Sequence, residues 1–135
     1  MLNASRLSGL RVLVVDDDCD SCEWIGYALA LYGMEVHTTY SVEQAIAAFQ
    51  RFCFDVVLSD IAMPGEDGFA LLNQIQQLQT LLEAVPIIAM TAWADRGKQL
   101  QGLQAGFADW LLKPIDLDEL IHTIAQLTGR MEIIC

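Results

Sequence analysis

The chain has 135 residues, 54% of them hydrophobic, enough for one domain whose core needs no disulfide staples. A formal charge of −11 excludes the basic patch that nucleic acid phosphates or an anionic membrane surface would require, and makes a cation the natural small partner. The opening MLNASRLSGLRVLVV has a short apolar run after Arg11, too short for a signal peptide or a membrane span. The four cysteines (Cys19, Cys22, Cys53, Cys135) are too sparse for a secreted scaffold, so a reducing cytoplasm is expected.

Leu10 to Val15 reads as a first strand, β-branched, that runs into Asp16-Asp17-Asp18. From about Cys19 the spacing of Trp24, Ala28 and Leu31 predicts a helix ending near Gly33. Met34 to Thr38 is a second strand. Ser41, with Gln44 three residues on, has the capping-box pattern and opens a helix whose apolar stripe is Ala45, Ile46 and Phe49. Val56, Val57 and Leu58 read as a strand buried on both faces, because such strands are continuous apolar runs. That strand ends in a single carboxylate, Asp60, before Pro64-Gly65 and Asp67-Gly68 punctuate the chain. Phe69, Leu72, Ile75 and Gln76 carry a helix to about Thr80. Pro86 opens a fourth strand that ends at Thr91. Asp95 to Ala105 is a helix closed by Gly106, and Ala108 to Leu112 is a fifth strand ending at Lys113-Pro114. Asp116 caps a last amphipathic helix through Leu120, Ile121, Ile124 and Leu127. Strands and helices that alternate five times predict a doubly wound α/β domain with a parallel sheet covered on both faces.

On that frame Asp16 and Asp17, Asp60, Thr91 and Lys113 all fall at the carboxyl ends of strands, where open α/β sheets bind ligands. In the order 2-1-3-4-5 the first and third strands are neighbours about 4.8 Å apart, which brings Asp17 and Asp60 together. Three carboxylates so close repel by several kcal/mol at an effective dielectric of about 20, and a hard divalent cation is the simplest relief. Mg²⁺ suits the site because it takes one or two carboxylates and keeps waters plus a phosphate oxygen. An aspartate is a competent nucleophile toward phosphorus once the incoming charge is neutralised. Lys113 would neutralise one phosphoryl oxygen and the Thr91 hydroxyl would donate to another.

The motifs VLVVDDD (Val12 to Asp18), DVVLSDIAMPGEDGF (Asp55 to Phe69), PIIAMTA (Pro86 to Ala92) and AGFADWLLKPID (Ala105 to Asp116) make the chain resemble the receiver domain of two-component response regulators. The resemblance covers roughly residues 10–128, leaving 1–9 as an N-terminal extension and 129–135 as a tail. It implies a flavodoxin-like (βα)5 fold, and a phosphoryl group passed from a histidine kinase or phosphotransfer protein to Asp60. Asp16 and Asp17 would be the acidic metal pair, with Asp17, Asp60 and the Ala62 carbonyl on Mg²⁺ or Mn²⁺. Thr91 would be the switch hydroxyl, Trp110 the switch aromatic, and Lys113 the lysine before a proline whose bond is usually cis. Such a chain is a switch, not a turnover enzyme. When Thr91 moves to the phosphoryl group, Trp110 would turn inward and the face of the fourth helix, fifth strand and last helix would be remodelled for a downstream protein or a second copy. Three positions stand out against the commonest pattern. Trp110 stands where Tyr or Phe is usual. Ala62 and Trp93 flank the phosphorylation site with little polar help for an attacking water, so a comparatively long-lived acyl phosphate is expected.

Two other function classes are weighed against this one. A phosphatase of the haloacid dehalogenase type would carry its nucleophile after the first strand in a D-x-D pattern and would add a cap insertion, neither of which is here. A docking module that is never phosphorylated would have no use for the intact set of Asp16, Asp17, Asp60, Thr91 and Lys113. Cys19-Asp20-Ser21-Cys22 has the spacing of a thiol oxidoreductase at a helix start, but the three preceding aspartates would raise the thiol pKa. The expected role is structural, with one of the two cysteines buried. His37 and His122 fall away from the acidic rim. Gly129 to Cys135 holds no further domain, so the chain is expected to work alone through protein contact or to be a piece of a hybrid kinase or larger regulator.

Overall fold

A computed structural model describes residues 7–63, 67–79, 84–92 and 94–129. Expectations that rest on Pro64-Gly65, Thr80, Trp93 and residues 130–135 lie outside the described residues.

Strands β1 (Arg11–Val15), β2 (Glu35–Thr39), β3 (Val56–Asp60), β4 (Ile87–Thr91) and β5 (Asp109–Leu112) form one parallel sheet in the order β2-β1-β3-β4-β5, the order expected. Between and after them run α1 (Cys19–Ala30), α2 (Val42–Arg51), α3 (Gly68–Leu78), α4 (Arg96–Ala105) and α5 (Leu117–Leu127). The central strands read as unbroken apolar runs because alternate side chains enter two different cores. Val12, Val14, Leu58 and Met90 pack with Ile25 and Leu29 of α1 and Leu120 and Ile124 of α5. Leu13, Val15, Val57 and Ala89 face the opposite way, against Ala45 of α2, Ile75 of α3, and Phe107 and Trp110. β2 lies at the sheet edge, so its pattern alternates, with Glu35 and His37 exposed and Val36 and Thr38 half-buried.

Each helix begins where a strand has just ended, and each is capped by a side chain that accepts backbone N–H groups: Asp18, Ser41, Asp67, Asp95 and Asp116. Four of these five caps are carboxylates that favour the positive end of the helix dipole. They lie at the same rim as the strand-end acids, so part of the net charge of −11 is concentrated there.

Some boundaries shift. α1 stops at Ala30 because the chain tightens, with Tyr32 N–H donating to Leu29 O at 3.0 Å and Gly33 N–H to Ala30 O at 2.9 Å. Gly33 then turns the chain at φ 81°. That turn moves β2 one residue later than expected, to Glu35–Thr39, and leaves Met34 buried under it. Ser41 Oγ accepts the Gln44 N–H at 3.1 Å as a capping box requires, but Gln44 Oε1 reaches back to the Tyr40 N–H at 3.0 Å, one residue earlier than in the usual pattern.

Candidate functional site

The carboxyl ends of β1 and β3 deliver three aspartates to one point. Asp16, Asp17 and Asp60 each offer one oxygen, and these oxygens all lie within 4.8 Å of one another. Asp16 is fully buried and Asp60 is 6% exposed, while Asp17 faces solvent. Asp16 is held from two sides: its Oδ1 accepts the Asp18 N–H at 3.0 Å and its Oδ2 accepts from Lys113 Nζ at 2.8 Å. The same ammonium lies 3.6 Å from Asp60 Oδ1, so Lys113 bridges the ends of β1 and β3 from the end of β5.

The electrostatics follow from this crowding. Burial, then the negative charge of Asp16, push the Asp60 carboxyl from an ordinary 3.8 up to about 6, with Lys113 pulling the other way. Burial alone would lower the Lys113 ammonium, but its hydrogen bond to Asp16 and the charges of Asp16 and Asp60 outweigh that and hold it above its ordinary value. Lys113 is therefore a firmly protonated counter-ion standing between two carboxylates.

The remaining expected residues are close by. Thr91 is buried at the end of β4, and its carbonyl accepts the Lys113 N–H at 2.7 Å, which ties the ends of β4 and β5 together. The Lys113–Pro114 bond is cis, as the resemblance implied. Ala62 is exposed just past Asp60, and its N–H donates to Asp60 Oδ1 at 3.4 Å. The donor set fits a hard divalent ion. Oxygens around a six-coordinate Mg²⁺ are about 3 to 4 Å apart, so the observed cluster needs to close by no more than about 2 Å. Asp16, Asp17 and Asp60 are the side chains that would hold it.

Trp110 on β5 is already buried at 5% exposed, not turned outward. Its ring meets Phe107 and Phe69, at 6.2 and 6.5 Å between centroids, and lies over Gly102 of α4. A Cβ at Gly102 would come within 2.4 Å of Trp110 Cζ3, so a glycine is required under the indole. Trp110 Nε1 is the one buried side-chain nitrogen or oxygen without a partner among the described residues.

Three contributors are not apparent from the sequence pattern. Gly68 opens α3 so near the end of β3 that a Cβ there would stand 2.7 Å from the Asp60 carbonyl oxygen, whereas in the sequence the Asp67-Gly68 pair signals only a break in the chain. Gly102 left the signal of a glycine inside a helix. Cys22 is fully buried with its thiol 3.3 Å from the Asp16 carbonyl oxygen, while Cys19 is exposed. Burial, then the charge of Asp16, push the Cys22 thiol up to about 12, which removes it from thiolate chemistry. His37 and His122 stay away from the rim, and His37 packs on Phe52 at 5.4 Å.

A doubly wound parallel α/β domain with an acidic pocket and a lysine at its switch point defines a class of small signalling domains. Residues 12–125 match the response regulator receiver domain family, and the chain belongs to it. It is 43% identical over 122 residues to the DNA-binding transcriptional regulator NtrC of Salmonella typhimurium, and 38% identical over 115 residues to the transcriptional regulatory protein ZraR of the same organism. These matches cover 90% and 85% of this chain but 25% of each regulator, so the chain spans about a quarter of their length. A 14.6 kDa protein of Leptolyngbya boryana is 35% identical over 120 residues, 89% of this chain and 91% of that protein. Among solved structures, the Francisella response regulator 1452 receiver domain superposes with a TM-score of 0.82 at 27% identity, covering 92% of this chain and all of that one. The chemotaxis protein CheY4 of Vibrio cholerae superposes with a TM-score of 0.81 at 29% identity, covering 89% and 99%.

Proposed function

We propose that this receiver domain takes a phosphoryl group on Asp60 from the phosphohistidine of a histidine kinase or phosphotransfer protein. The observation that carries the reading is Asp60 Oδ1 at the end of β3, 3.6 Å from the Lys113 ammonium and in one cluster with Asp16 and Asp17. A carboxylate oxygen of Asp60 attacks phosphorus, the phosphorus–nitrogen bond to the imidazole breaks, and the imidazole leaves with its electron pair and takes up a proton. Lys113 neutralises one phosphoryl oxygen and the Thr91 hydroxyl donates to another. Asp16, Asp17 and Asp60, with the Ala62 carbonyl as a further ligand, would hold Mg²⁺, which would neutralise charge on the transferring group. The chain is a switch: the acyl phosphate is its state, not an intermediate turned over many times.

The donor must reach Asp60 over the adjoining surface. Beside Lys113 lies a groove of about 590 Å³ whose walls include Trp24 and Ile25 of α1 and Pro114 and Ile115. Trp24 and Tyr27 stand exposed on α1, with Leu31 exposed at its C-cap on the same stripe, so α1 offers an apolar landing site for an amphipathic helix of the donor. On phosphorylation Thr91 is drawn to the phosphoryl group, Trp110 repacks between β5 and α4, and the face of α4, β5 and α5 changes its fit for a partner. Leu100, Leu103 and Leu112 are exposed on that face, which favours a downstream protein or a second copy as its occupant. A cytoplasmic location follows from this role.

Intact mass after incubation with acetyl phosphate and Mg²⁺ tests the reading. One phosphoryl group is expected, absent with Asp60→Asn or EDTA. No gain in a protein that binds Mg²⁺ would favour a docking module.

A further inference from the structure

We infer that Cys22 is a positioning residue for the acidic pair: its buried thiol, donating to the Asp16 carbonyl, sets the Asp16–Asp17 peptide plane and so aims the Asp17 carboxylate. The inference rests on the proposed reading that Asp16 and Asp17 hold a divalent cation.

The two aspartates are fixed by different means. Asp16 has its own anchors, the Asp18 N–H on Oδ1 and Lys113 on Oδ2. Asp17 is exposed and has no such anchor among the described residues, so its direction is inherited from its backbone. The carbonyl of Asp16 is half of the peptide group that leads into Asp17. It lies beyond the last residue of β1, and among the described residues no backbone N–H pairs with it. The Cys22 thiol reaches it at 3.3 Å and also approaches Thr39 O at 3.6 Å. Thr39 O in turn accepts the Asp16 N–H at 3.1 Å, so one side chain of α1 braces the ends of β1 and β2 directly beneath the site. A buried carbonyl left without a donor would turn in search of one, and its peptide would turn with it. A sulfhydryl is a weak donor, but the carbonyl has no other claim on it here.

Cys22→Ala and Cys22→Ser both lose the sulfur volume and differ only in a hydroxyl donor, which separates bracing from packing. Leu29→Val, on the same buried face of α1, controls for loss of helix packing. Mg²⁺ titrations by calorimetry on the full chain are expected to show Cys22→Ala weakened by about tenfold, as for the loss of an outer-shell partner. Cys22→Ser should stay within about twofold of the unaltered protein, since its hydroxyl can replace the lost donor. Leu29→Val should lose thermal stability without changing Mg²⁺ binding. In the metal-free protein the amide resonance of Asp17 should move in Cys22→Ala, return in Cys22→Ser and stay in place in Leu29→Val. Equal weakening by the alanine and serine variants, or unweakened Mg²⁺ binding in Cys22→Ala, overturns the inference while the site reading stands. If the unaltered protein binds no Mg²⁺, the site reading fails and this inference with it.

Discussion

Asp60 combines two demands that pull against each other, since a nucleophile must be ionised and a buried carboxyl resists ionisation. Its pKa of about 6 sets the sign of a pH effect. The folded state holds this proton more tightly than the unfolded chain, so the metal-free protein loses stability as pH rises from about 4 through about 6, and the loss is complete above that. Two pK units would be worth about 3 kcal/mol, which the water reaching the rim reduces to about 1 to 2. Asp60→Asn should therefore stabilise the metal-free protein at pH 7 by about 1 to 2 kcal/mol and leave it unchanged near pH 4, as urea melts at the two pH values would show. Lys113→Met removes the ammonium that competes with a metal ion for Asp16 and Asp60. Mg²⁺ affinity should hold or rise while phosphorylation by acetyl phosphate slows at least about tenfold; equal loss of both would assign Lys113 to folding alone. Ala62 brings only a methyl group beside the site, so the acyl phosphate should outlast a time scale of seconds, and Ala62→Gln should shorten it by positioning water.

The acids and the lysine were legible in the sequence because each ends an apolar run, and the alternation of strand and helix brings those ends together. Cys22 and Gly68 were not, because their roles are contacts with main-chain oxygens, which no pattern of side chains encodes. That one of the two cysteines would be buried was legible, but not which one or which carbonyl it would meet.

At the level of elements, α4 is the loosest of the five helices. Gly102 is its only buried residue, and Trp110 rests on that glycine. The sequence placed this helix between Asp95 and Gly106 correctly, but its weak hold on the sheet depends on which face lacks large apolar side chains, and that needs the third dimension. Gly102→Ala decides between two effects. Alanine gains about 1 kcal/mol of helix propensity, whereas overlap with the indole costs about 1 to 3. The overlap should win, lowering stability and pushing Trp110 toward water. In a background with Trp24 and Trp93 replaced by Phe, the tryptophan emission should shift to the red; an unshifted spectrum would mean that α4 moves aside without disturbing the ring. The starts of α2 and α5 were legible through their caps, Ser41 and Asp116. The end of α1 was not, since the tightening from Leu29 to Gly33 depends on hydrogen bonds that the apolar spacing does not report.

For the whole molecule, the charge of −11 and its concentration at one rim are a repulsion that a bound counter-cation would relieve. Mg²⁺ at ten times its dissociation constant should stabilise the fold by about 1.4 kcal/mol, a rise in melting temperature of about 5 °C, and the effect should vanish in Asp17→Asn. No helix of the described residues is long and apolar enough to cross a membrane. The two-sided core was readable from the unbroken runs of β3 and β4, and the strand order followed from the alternation. The groove beside Trp24 was not, because it forms between α1 and the turn after β5, elements about ninety residues apart in the chain. The most direct test of Asp60 as the acceptor is to treat the protein with acetyl phosphate and Mg²⁺, reduce it with borohydride, and locate the product by fragmentation mass spectrometry. Homoserine at position 60 alone is the expected result. Homoserine at another aspartate, or none at all from a protein that binds Mg²⁺, would contradict it.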